Sequence, residues 1–141
     1  MFEGSLITFL AADSALVALL SPFGTPAGPA IFSSAAPQRA VLPYIVFDID
    51  VNAVENLAAS GFDVIIDIYD RQESGKNLRD IAERIEIVCD REIIYNDDRY
   101  GQIRLFWEDS REVENSDVKI RHRVCRLSAR AGRKKWAAET T

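Results

Sequence analysis

Residues 61–91 constrain the fold more than any other stretch of the chain. Phe62, Val64, Ile66 and Ile68 fall on one parity, and Asp63, Ile65, Asp67 and Tyr69 fall on the other. That two-residue period is the pattern of a strand with one apolar face and one mixed face. The period then changes. Leu78, Ile81, Ala82, Ile85, Val88 and Cys89 recur at the spacing of one helical face, while Arg79, Asp80, Glu83, Arg84 and Glu86 make a solvated side. Ser74 stands where an N-cap belongs, its hydroxyl free to accept from a first-turn N–H. A strand that runs straight into an amphipathic helix must lay that helix on its own sheet.

The flanks supply neighbours for this unit. Residues 5–20 predict a helix through Leu6, Phe9, Leu10, Leu16, Val17, Leu19 and Leu20, interrupted near Asp13, which caps a second short turn, and ended by Pro22. Residues 21–40 are rich in Gly, Pro, Ser and Ala and predict an irregular connection, with Ile31-Phe32 as a short edge strand. Residues 41–51 predict a strand entered at Pro43. Beyond Cys89, residues 93–95 predict a short strand, 102–109 an alternating one, 111–117 a charged turn, and 118–129 a long final strand. Short links between consecutive strands favour antiparallel pairing. The expected fold class is α+β: a mostly antiparallel sheet with helices packed on one face, in one domain over residues 1–129, followed by a basic extension over 130–141.

At 141 residues the chain has the length of one domain. No apolar run approaches the about 18 residues that span a bilayer, and no basic segment precedes the apolar residues of 1–20 as in a signal peptide. No membrane partner is expected. Cys89 and Cys125 fall on apolar faces without metal-ligand spacing and read as buried free thiols. Asp48 with Asp50, and Asp63 with Asp67, are same-parity strand carboxylates that, with Lys119, resemble in outline a divalent-cation nuclease site. No motif joins them, and solvated strand carboxylates explain them as well. His122 stands between two arginines with no Ser or Cys nucleophile near it in sequence, which favours a structural role. No Gly-rich strand-to-helix loop offers a phosphate site. No catalytic residue, cofactor or metal ligand is assigned.

Charge is unevenly distributed. Residues 1–117 carry 9 basic against 21 acidic residues, a balance of −12; residues 118–141 carry 8 against 1, a balance of +7. Such asymmetry suits head-to-tail packing of identical subunits, docking on an acidic partner, or nucleic-acid contact.

Several segments together resemble a known family: the N-terminal helix ending Ala-Asp-Ser-Ala-Leu-Val-Ala-Leu, the segment Ala-Pro-Gln-Arg-Ala-Val-Leu-Pro-Tyr-Ile-Val-Phe, the strand ending Asp-Ile-Tyr-Asp with its amphipathic helix, and the final Val-Lys-Ile-Arg-His-Arg-Val. Over residues 6–127 the chain looks like the tail-completion or tail-terminator proteins of long-tailed bacteriophages. That resemblance implies a non-enzymatic virion protein, assembled in the host cytoplasm into a homohexameric ring at the head-proximal end of the tail. The implied partners are further copies of itself, the tail tube protein and a head connector or completion protein. Genomic DNA would pass through without specific binding. Two alternatives stand beside it: a nucleic-acid-binding module using the basic end, or another head–tail component such as a head completion protein. The candidate partner-binding residues are Phe23, Ile31 and Phe32 in the Pro-rich connection and Arg130, Arg133, Lys134, Lys135 and Trp136 in the basic end, a segment running past the strand where similar proteins are expected to stop.

Overall fold

A computed structural model describes residues 2–49, 61–97, 101–114 and 117–132. In chain order the elements are α1 (Phe2–Ala11), α2 (Ser14–Val17), β1 (Pro22–Phe23), β2 (Gly28–Pro29), β3 (Ile31–Ser33), β4 (Tyr44–Ile49), β5 (Phe62–Arg71), α3 (Gly75–Cys89), β6 (Ile93–Asp97), β7 (Gly101–Val113) and β8 (Ile120–Gly132). The fold is mixed, mostly sheet, with few helices. Six strands form one sheet in the order β3-β4-β5-β8-β7-β6, and β1 with β2 forms a separate small hairpin. Every pairing in the large sheet is antiparallel except β3 with β4.

The register explains the alternation in β5. Val64 lies opposite Leu127, Ile66 opposite Cys125 and Phe47, and Ile68 opposite Ile45. These side chains are buried and share one core with Leu6 and Leu10 of α1, Leu16 of α2, and Leu78, Ile81, Ala82, Ile85 and Cys89 of α3. We call this parity of the strands inward and the other outward. Removing so many branched apolar side chains from water is the main driving term for the fold, at roughly 1.5–3 kcal/mol for each fully buried residue.

The strand-to-helix junction is built on a buried carboxylate. Asp70, on the inward parity near the end of β5, is 1% exposed. It accepts from the Asn77 amide and from the Arg71 N–H, both at 2.7 Å. Ser74 is at the N-cap position, but its φ of −100° and ψ of 33° are not the extended geometry that aims a hydroxyl at the first turn, and its side chain makes no capping bond. The expected hydroxyl cap is therefore not formed, and Asp70 instead ties the end of β5 to the first turn of the helix through the Asn77 side chain. The earlier cap is as expected: Asp13 accepts from Leu16 N–H at 2.9 Å, starting α2. The same carboxylate takes two bonds from the Arg84 guanidinium, each 2.7 Å, and so ties α2 to α3.

Three further expectations change. The short edge strand at Ile31-Phe32 is as expected, as β3, but the part of residues 21–40 before it is a small hairpin stitched to the start of β4 and not an irregular link. Ser21 N–H donates to Pro43, Ala30 N–H to Ser21, and Ile45 N–H to Ala30, at 3.0, 2.9 and 3.0 Å. The charged residues 111–113 continue β7, so the turn before β8 is shorter than expected, and Val118 lies in that turn, 79% exposed. Finally, β8 runs to Gly132, which places Arg130 on a strand paired with Arg104 rather than at the start of an extension.

Candidate assembly surface

The outward parity of the large sheet is where the side chains left over from the core collect. Tyr44 pairs with Tyr69, and Tyr69 with His122. Their rings, with Phe32 on β3 and Phe23 on β1, form a continuous row across the strands. Centroids are 5.0 Å apart for Phe23–Phe32, 6.0 Å for Phe32–Tyr44, 5.3 Å for Tyr44–Tyr69 and 4.3 Å for Tyr69–His122. The first two contacts are edge-on and the last is stacked, the geometries that aromatic quadrupoles favour. All five side chains are half-buried. Burial raises the phenol pKa of Tyr44, and burial with the nearby Asp67 carboxylate raises that of Tyr69.

His122 is fixed from two sides. Its ring stacks on Tyr69, and Nε2 lies 2.7 Å from Asp67 Oδ1. An ionised carboxylate only accepts, so Nε2 carries the proton of this bond. Among the described residues no thiol or hydroxyl is hydrogen-bonded to it. Asp67 is thus engaged by His122, while Asp48 and Asp63 project from the same face, exposed. Asp50 lies outside the described residues, and Lys119 lies in the turn before β8. Among the described residues no group of three or more His, Cys, Asp or Glu side chains is placed to hold a metal ion.

Beyond the aromatic row the face divides by charge. Strands β4 and β5 carry Asp48, Asp63 and Asp67, with Arg71 at the far end. Strands β7 and β8 carry Arg104, Arg111, Arg126 and Arg130, with Asp109 opposite Arg126. A bulge makes this possible. The register of β7 shifts between Trp107 and Asp109, turning Asp109 and Arg111 outward, and Asp90 at the end of α3 accepts from the Trp107 N–H at 2.8 Å. Arg104 and Arg130 are direct cross-strand neighbours, a like-charge pair that destabilises a sheet unless something neutralises it. Arg130 also sits 5.5 Å above the Phe106 ring. None of these four arginines takes part in an ion pair among the described residues.

Of the residues singled out from sequence, Phe23 and Phe32 are at one end of the aromatic row, and Arg130 is in the arginine half. Ile31 is different: it is 6% exposed and belongs to the core. Arg133, Lys134, Lys135 and Trp136 lie outside the described residues. Tyr44, Tyr69, Arg104, Arg111 and Arg126 do not stand out in the sequence. Strand parity is visible there for all but Arg111, whose parity depends on the bulge, and which strands lie side by side is visible for none of them.

Residues 4–132 match the family described as tail completion protein gp17. The chain belongs to that family. It is a family of structural phage tail proteins and not of enzymes. The structure is similar to a chain from a virion of a native gene transfer agent particle, at a TM-score of 0.70 and 16% identity, covering 92% of this chain and 92% of that one. At that identity the likeness concerns the fold. No curated protein matches the sequence. The chain is accordingly a structural tail component of a phage-like particle.

Proposed function

We propose that this chain is a tail terminator: a homo-oligomeric ring, with six subunits, that caps the completed tail tube at its head-proximal end and joins it to the head connector. The observation that carries the reading is the family match over residues 4–132, nearly the whole chain. The outward face supports it, since it exposes four arginines that form no ion pair among the described residues beside a half-buried aromatic row. In this reading the subunit is a two-layer body, with the helices on the inward side of the sheet and the outward side bare. The segment around Phe23 and Phe32 contacts an adjacent subunit or the tube, and the basic residues past β8 dock on an acidic neighbour.

Disrupting the gene in a producing strain tests this. Filled heads and unjoined tails are expected, and adding purified protein to the lysate restores joined particles. Normal particles without the protein would overturn the reading. Recovery of the protein on heads and not on tails would instead favour a head completion role. The arginine cluster on β7 and β8 gives a nucleic-acid reading one specific observation. Duplex DNA binding tighter than about micromolar at physiological salt, falling steeply with added salt, would promote it; a terminator should show no such binding.

A further inference from the structure

We propose that copies of this chain meet front to back, with the C-terminal half of α3 on one subunit seated on the arginine strands β7 and β8 of the next. This rests on the ring reading and names the surfaces that would make it.

The seating element is Ile87 with Glu83 and Glu86. Ile87 is 60% exposed, the most exposed large apolar side chain on α3. It lies one helical turn after Glu83 and next to Glu86, away from the buried stripe of Leu78, Ile81, Ile85 and Cys89. Of the other charges of the helix, Lys76 pairs with Asp80 and Arg84 with Asp13, while exposed Arg79 lies one turn before Glu83, in the N-terminal half. Glu83 and Glu86 form no ion pair among the described residues and are exposed. The helix therefore offers an apolar knob flanked by two carboxylates.

The receiving surface has the complementary character. Arg104, Arg126 and Arg130 are exposed, and half-buried Phe106, Ser128 and Val124 lie among them. Two incoming carboxylates would relieve the Arg104–Arg130 repulsion through charge-assisted bonds, and Ile87 would cover apolar surface on Phe106, the cross-strand neighbour of Ser128. Three carboxylates already border this surface: Asp109 opposite Arg126, Asp63 opposite Ser128 and Asp67 opposite Val124, the last held by His122. The knob is on the helix side and the arginines are on the outward side of the same sheet. A contact that joins opposite sides of identical subunits is heterologous, and it closes into a ring when the rotation permits. A face-to-face contact of two outward surfaces would instead be two-fold and would stop at a pair.

Engineered cysteines distinguish these geometries, because both native thiols are buried and will not compete. Full-length protein carrying Ile87→Cys and Ser128→Cys, oxidised mildly at high concentration and in purified tails, is expected to give a ladder of linked species on a non-reducing gel. Either substitution alone should give monomer. Disulfide dimers from Ser128→Cys alone would establish face-to-face packing and overturn the proposal. Charge reversal gives a second readout: Glu83→Arg with Glu86→Arg should weaken assembly by about tenfold or more, and adding Arg126→Glu with Arg130→Glu should restore it. Rings that persist through both reversals and never cross-link would reject this interface while leaving the ring reading standing. Wild-type protein that forms no ring, alone or on tails, would reject the ring reading itself and this interface with it.

Discussion

Asp70 holds the junction between β5 and α3 with the two bonds it accepts from Asn77 and Arg71. Asp70→Ala removes the partner of two part-buried donors, and a loss of about 1 kcal/mol follows. Denaturant unfolding should show a lower midpoint with an unchanged slope. Asp13 acts differently, because its effect depends on pH. The Arg84 guanidinium holds its carboxyl below the ordinary value of 3.8. A depressed folded pKa gives stability that is present above the unfolded value and lost as pH falls through the folded one. Asp13→Asn keeps a capping oxygen for Leu16 and removes the charge. It should be less stable than the parent at neutral pH, and the difference should close as the pH falls below the ordinary value of 3.8 and through the lower folded one. The thiols of Cys89 and Cys125 are both pushed up to about 12 by burial. A thiol reagent at neutral pH should label neither in the native protein and both once the chain is unfolded.

At the scale of elements, glycines report how closely the strands and helices approach. A side chain at Gly61 would put its Cβ 2.8 Å from the Ala129 carbonyl on β8. Gly61→Ala must push the start of β5 away from β8 and should cost about 1–3 kcal/mol. Gly4 lies in α1, and nothing lies within 4 Å of where a methyl group would stand, so Gly4→Ala should gain about 1 kcal/mol from helix propensity. Thermal melts of the two variants should move in opposite directions. Most elements are legible in the sequence because their periods are clean: the β5 parity, the α3 stripe and the break at Asp13 all follow from local spacing. What escapes depends on distant partners. The stitching of the segment before β3 needs Pro43 and Ile45, the bond that ties Asn77 of α3 to β5 needs Asp70, and the outward turn of Arg111 needs a bulge that sequence alternation hides. Of the candidate surface, Phe23, Phe32 and Arg130 follow from the apolar and basic character of their segments. The rest of the aromatic row exists only because β4, β5 and β8 are neighbours, a fact of register and not of spacing.

For the whole molecule, the uneven charge of the sequence takes a spatial form. Aspartates on β4 and β5 and arginines on β7 and β8 share one sheet face, joined by a half-buried aromatic row that ends at His122. In the proposed ring this surface would meet copies of the chain and other particle proteins. Phe32→Ala with Tyr69→Ala should leave the inward core intact and lower the yield of joined particles, because the row is outside that core. Whether the chain caps the tail is read most directly by symmetry-averaged imaging of purified tails from the wild type and from a strain lacking this chain. A terminator should appear as a six-fold ring at the head-proximal tip of wild-type tails, fitted by this fold, with a bare tip in the deletion strain. A tip density unchanged by the deletion, or this chain found only elsewhere in the particle, would rule that role out.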